Sequence, residues 1–191
     1  MQASVEVIEM SQAPPDMRNV VENNRSLLKK IELAIPGFRG YRKREDLRVA
    51  DNLLRIFLAD NLVHSRQGMG DLKKALAKKL ELKLVERVGE VENQLHVVDK
   101  RLRHAEQGYS GVAPDYKVND RELNALYNYD NQLMIGVDQI SQTVRGIQAK
   151  TAAAPTEELM ADVEAVAGMV KNFSVALDNR RNALIAAAGV R

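Results

Sequence analysis

Two charged residues stand where a helical sequence ordinarily places apolar ones. In the series Leu123, Leu126, Asp130, Leu133, Val137, Ile140, Val144 and Ile147 the steps alternate between three and four residues, and Asp130 is the one charge. In Leu159, Val163, Val166, Val170, Phe173, Leu177, Arg180 and Leu184 the same alternation holds, with Arg180 the exception. A carboxylate in such a seam loses its hydration unless a partner compensates it. Antiparallel pairing through the turn near residues 150–156 brings Asp130 within about one helical turn of Arg180. The spacing therefore predicts an interhelical Asp130–Arg180 pair that fixes register and orientation. The competing chemistry is that of a ligand or proton acceptor in a bundle cavity around Asp130.

The remaining reactive residue types form no catalytic pattern. A di-iron bundle needs Glu-x-x-His on two helices and a Glu from each of two others. Here Glu92 precedes His96 by four, Asp60 precedes His64 by four, and His104 stands alone. These three histidines read as solvated helix-face residues, and no metal site is predicted. The chain has no cysteine, which removes disulfides, thiolate zinc sites, iron–sulfur clusters and cysteine nucleophiles. No Gly-x-Ser-x-Gly elbow is present, and Gly37-Phe38-Arg39-Gly40 and Gly68-Met69-Gly70 lack the spacing of a phosphate-cradling loop. The expectation is a protein without a cofactor and without enzymatic chemistry.

Charge carries more information. The formal net charge is +2, yet residues 36–87 hold 13 Lys+Arg against 7 Asp+Glu, while residues 106–170 hold 4 against 10. The basic half includes Arg39, Arg42, Lys43, Arg44 and Arg48 around one turn, with Phe38 and Tyr41 beside them, then Lys73, Lys74, Lys78, Lys79 and Lys83. Phe38, Arg39, Tyr41, Arg42, Lys43, Arg44, Arg48, Lys74 and Lys78 are the candidate partner-binding residues. An acidic protein surface suits them, and so does nucleic acid or a ribosome, since flat rings beside guanidinium groups stack on unpaired bases. The lysine-rich segment also suits anionic lipid, but its apolar positions are those a core needs, which disfavours a membrane surface. The opposed charge fields are suited to head-to-tail self-association.

Helices must position all of this. Ala, Leu, Glu, Lys, Arg and Gln abound while Gly (11) and Pro (5) are few, and no apolar run reaches the roughly 20 residues of a membrane span. With no leader-like segment at the start, the expected location is cytoplasmic. Residues 1–15 read as a tail. Steps of three and four through Val20, Asn24, Leu27 or Leu28, Ile31 and Ile35 predict a helix that Asp16 caps and Pro36-Gly37 stops. A second helix runs from Tyr41 to Arg66, which Gly68 and Gly70 break. A third runs from Asp71 to Gln107, with Leu84, Val88, Val91, Leu95, Val98, Leu102 and Ala105 at heptad spacing. Asn119 and Glu122 form a capping box for the fourth.

The expected fold is all-α: an elongated antiparallel three-helix coiled-coil bundle (71–107, 119–148 and 156–187) with an additional N-terminal helical hairpin (16–66) packed at one end, the whole of 16–191 forming one domain. The segment from Ile35 to Arg55, together with Gly108-Tyr109-Ser110-Gly111 and Leu123 to Asp130, resembles a group of uncharacterised archaeal and bacterial helical proteins over about residues 20–140. That resemblance implies a helical fold and no catalytic motif. In that group the turn after the Gly108–Gly111 stretch tends to be aromatic, whereas here it reads Val112-Ala113. The functional expectation is a helical interaction or scaffold protein that presents a basic turn to an acidic partner.

Overall fold

The computed structural model describes residues 17–39, 44–104 and 120–187. Among these residues there are five helices and no strand: α1 Met17–Ala34, α2 Arg44–Lys78, α3 Leu82–His104, α4 Asp120–Lys150 and α5 Thr156–Ala187. The α1 helix ends at Pro36-Gly37 for a stereochemical reason. Phe38 N–H donates to the Ile35 carbonyl at 3.2 Å across a four-residue turn, and Gly37 takes φ 84°. Proline second and a left-handed glycine third define a type II turn.

The four longer helices form a bundle. Antiparallel α2 and α3 share the largest interface, α4 and α5 form a second antiparallel pair, and the pairs join along α2–α4 and α3–α5. The α3 and α5 helices run parallel, since Arg87–Glu164 and Arg101–Asp178 both link residues 77 apart. The α1 helix packs on α4. The observed architecture is thus an all-helical bundle of the heptad seams, with four long helices where three were expected, because α2 packs along both α3 and α4.

The seams supply the core. On α3, Leu84, Val88, Val91, Leu95, Val98 and Leu102 are buried, and Leu126, Leu133, Val137, Ile140, Val144 and Ile147 on α4 meet Leu159, Val163, Val166, Val170 and Phe173 on α5. Such spacing keeps one narrow stripe facing its neighbours over many turns. At about 1.5–3 kcal/mol for each fully buried Leu or Val, these stripes supply the main driving force of the fold.

The helix boundaries within residues 41–107 need correction. Gly68 and Gly70 do not end a helix: α2 runs through both to Lys78, and the break falls at residues 79–81, inside the segment predicted as one helix from 71 to 107. Lys73, Lys74 and Lys78 therefore lie on α2. A β-carbon added to Gly68 would sit 2.7 Å from Val144 Cγ1 and 3.2 Å from Gln148 Oε1. The glycine leaves room for the Val144 and Gln148 side chains of α4, and tertiary packing outweighs its low helix propensity. The α2 terminus instead closes without glycine. Glu81 N–H donates to the Leu76 carbonyl and Leu80 N–H to the Ala77 carbonyl, at 3.3 and 3.1 Å. That pattern is a Schellman motif, and its left-handed position is held by Leu80 at φ 61°. The expected tail 1–15, the Asp16 cap, the Asn119 end of the capping box and the Gly108–Pro114 turn lie outside the described residues.

Candidate functional site

The seam of α2 continues unbroken across its glycines. Asp51, Arg55, Leu58, Leu62, Ser65, Met69, Leu72 and Leu76 advance in alternating steps of four and three, and all are buried. Two charges therefore enter the core from α2, at the level where α4 and α5 contribute Asp130 and Arg180. Asp130 is 0% exposed and Arg180 3%.

The structure brings these four together. Arg180 Nε donates to Asp130 Oδ1 at 2.6 Å, and Arg180 Nη1 donates to Asp51 Oδ1. Asp51 accepts a second bond through Oδ2, from Arg55 Nε at 2.8 Å. Arg55 then turns its Nη1 to the Leu102 carbonyl at 2.8 Å, in the last turn of α3. A guanidinium on a carbonyl in the last described turn of a helix opposes the negative end of the helix dipole. One chain of hydrogen bonds thus crosses α4, α5, α2 and α3. Among the described residues the array balances two carboxylates against two guanidiniums.

The electrostatics agree with the geometry. Burial pushes the Asp51 carboxyl upward, but Arg180 and then Arg55, by charge and hydrogen bonding, outweigh it and hold the group below the ordinary carboxylate range. Asp51 is therefore an anion at neutral pH, committed on both oxygens to arginines. Such an array fixes which faces of the four helices meet, because sliding any one of them would strand a charge. As a reactive centre it is poorly placed: its four charged side chains are buried and bonded to one another.

Other inter-helix polar links lie along the bundle. Ser65 and Ser141 hydroxyls meet at 2.9 Å between α2 and α4. Buried Asp99 accepts from Arg103 Nε at 2.8 Å, and Arg103 reaches on to Asp60 at 2.8 Å. His96, expected as a solvated residue, is half-buried, with its Nδ1 2.5 Å from Arg66 Nη1. His64 and His104 are exposed. Arg87 grips both oxygens of Glu164 at 2.6 and 2.7 Å, which holds that carboxyl below its usual range. Among the described residues no group of three His, Asp or Glu is arranged to hold a metal ion, and no helix is long and apolar enough to cross a membrane.

The basic candidates fare unevenly. Phe38 corrects the sequence reading: at 4% exposure it is part of the core, so its ring is not offered to a base or a partner. The type II turn swings it inward, with Leu53 of α2 beside Gly37. Arg39 is exposed immediately after it. Tyr41, Arg42 and Lys43 lie outside the described residues, and Arg44 and Arg48 lie on the first turns of α2. Lys74 and Lys78 are exposed, Lys74 in a surface pair with Asp71 at 3.0 Å.

Sequence reasoning found Asp130 and Arg180 but missed Asp51 and Arg55. The signal was the heptad phase of α2, which places both in the seam once the helix is followed past Gly68. No protein family, curated protein or solved structure matches this chain. The resemblance carried by residues 35–55, 108–111 and 123–130 rests on those residues alone.

Proposed function

We propose that the protein is a helical interaction or scaffold protein, without catalytic chemistry of its own, that presents the basic turn at residues 38–48 to an acidic partner. The observation that carries this reading is the closed state of the buried charges. Asp51, Arg55, Asp130 and Arg180 are buried and bonded to one another, with Arg55 also on the Leu102 carbonyl, which favours a role for the surface over one for the core. That weighs against a bundle enzyme or metal protein built around Asp130. The root of the basic turn is anchored: Phe38 is sunk in the core while Arg39 points out, so the cations that follow in sequence start from a fixed point.

Nucleic acid or a ribosome is the competing partner. The burial of Phe38 weakens that reading, because it removes one of the two rings that were to stack on bases. Fluorescence anisotropy with labelled polyglutamate and with a labelled single-stranded oligonucleotide separates the two. The proposal expects polyglutamate to bind, with affinity falling as salt rises, and expects the Arg42→Glu/Lys43→Glu/Arg44→Glu variant to lose it. Tight oligonucleotide binding, and a high 260/280 nm ratio after purification, would overturn it in favour of nucleic acid. Retained polyglutamate binding in the triple variant would remove the basic turn from the account.

A further inference from the structure

The far end of α2 breaks the rule that the core obeys. At the α2–α3 turn, Leu80 is 80% exposed and Leu82 is 71% exposed. Leu80 is also the residue in the left-handed position of the Schellman motif, where a side chain carries a conformational cost that glycine would avoid. Neither leucine contributes to the core, and the first strains the backbone while facing solvent. Folding gives no reason for a leucine at either position.

Their setting narrows what they could meet. Residues 73–83 hold five lysines and one glutamate, Glu81. Two of the lysines have internal work: Lys73 reaches Glu92 at 2.5 Å, and Lys79 Nζ donates to the Thr151 and Ala152 carbonyls at 2.6 and 3.0 Å. The Lys79 bonds tie the α2–α3 turn to the α4–α5 turn, so both lie at one end of the bundle. There the second turn adds exposed Ala152, Ala153 and Pro155 and no charge between residues 151 and 156. Lys78 and Lys83 are exposed and enter no ion pair among the described residues, and Lys74 keeps only its surface pair with Asp71.

We propose that this end of the bundle docks on an anionic lipid surface, with Leu80 and Leu82 entering the interface and Lys74, Lys78 and Lys83 meeting the headgroups. A turn that closes a helical hairpin projects outward, and a fluid bilayer needs no complementary groove to accept two leucines. Basic side chains around a small apolar tip match a negatively charged surface in sign and in layering. The apolar positions that argued against a membrane in the sequence belong to the core seams, and Leu80 and Leu82 do not. The site lies at the opposite end of α2 from the basic turn, a 35-residue helix away, so it stands or falls independently of the acidic-partner proposal.

The test is flotation of the full chain with vesicles of phosphatidylcholine alone and of phosphatidylcholine carrying about one-third phosphatidylglycerol. The wild type is expected to float with the anionic vesicles, to release them in high salt and to ignore the neutral ones. Leu80→Gly is expected to lower partitioning about tenfold through lost apolar area while keeping the fold, since glycine suits that backbone. Lys78→Gln and Lys83→Gln are expected to lower it about fivefold each. No flotation of the wild type, or flotation indifferent to Leu80→Gly, overturns the proposal. So does Leu80-dependent self-association in light scattering without vesicle binding, which would assign the tip to a second copy of the chain.

Discussion

The two ends of α2 invert the ordinary distribution of residues in opposite ways. Near its start, Asp51 and Arg55 are buried with Asp130 and Arg180; just beyond its end, Leu80 and Leu82 are exposed. The difference is in what compensates each. Each buried charge has an opposite charge within hydrogen-bond reach, so that removing one partner would strand the other, whereas the leucines have no internal compensation. An inversion satisfied from within is part of the fold's specification. One left unsatisfied lies outside that specification, and in the proposal above it is what meets the lipid surface.

Breaking the balance at the first end has the largest expected effect. Arg180→Leu leaves Asp130 and Asp51 without their shared counter-ion, and denaturant titration is expected to register a loss of about 3–5 kcal/mol. Second is Gly68→Ala, where a β-carbon 2.7 Å from Val144 Cγ1 forces the Val144 side chain or the helices themselves to shift. Overpacking of that kind costs about 1–3 kcal/mol. A stability gain there would contradict the close approach of the two helices.

Legibility from sequence divides along the same lines. The α3, α4 and α5 seams could be read because seven-residue periodicity survives without knowledge of neighbours, and Asp130 and Arg180 stood out as charges inside it. The extent of α2 was obscured because glycine is a local stop signal while the closeness of Val144 is a tertiary fact. Following the phase from Asp51 to Leu76 would have carried the helix across Gly68 and exposed the second ion pair. The break at residues 79–81 has no comparable signal, since a leucine occupies the place where glycine normally marks a Schellman cap. Phe38 was misread for a related reason: a ring among arginines looks like a binding surface until the Pro36-Gly37 turn is seen to fold it inward.

Acid sharpens the comparison. The Asp51 carboxyl is held below its unfolded value near 3.9, so the unfolded chain binds its proton first as pH falls. Its contribution is complete above that value and disappears below it. Stability measured from pH 6 downward is expected to fall through the region of pH 4 and below, and Asp51→Asn is expected to flatten that limb. An unchanged pH dependence in the variant would contradict the burial of an ionised Asp51.

The second end predicts a smaller effect of opposite sign. Leu80→Gly is expected to raise stability by about 1 kcal/mol by relieving the left-handed strain, readable as an upward shift of the denaturation midpoint. Smallest is Gly146→Ala. A β-carbon there meets nothing within 4 Å, so better helix propensity should add about 0.5–1 kcal/mol. Its contrast with Gly68→Ala on the α2–α4 interface isolates packing from propensity.

The central claim is that the four buried charges act as one compensated unit, and two double variants test it most directly. Asp130→Leu/Arg180→Leu removes one of each sign and leaves Asp51 bonded to Arg55, whereas Asp51→Leu/Asp130→Leu removes both anions and leaves two buried arginines. Stabilities of both doubles and their parent single variants should show the balanced double far less damaged than the sum of its singles, by at least about 2 kcal/mol, and the unbalanced double the least stable of all. Additive losses in the balanced double, or equal stability of the two doubles, would contradict the claim.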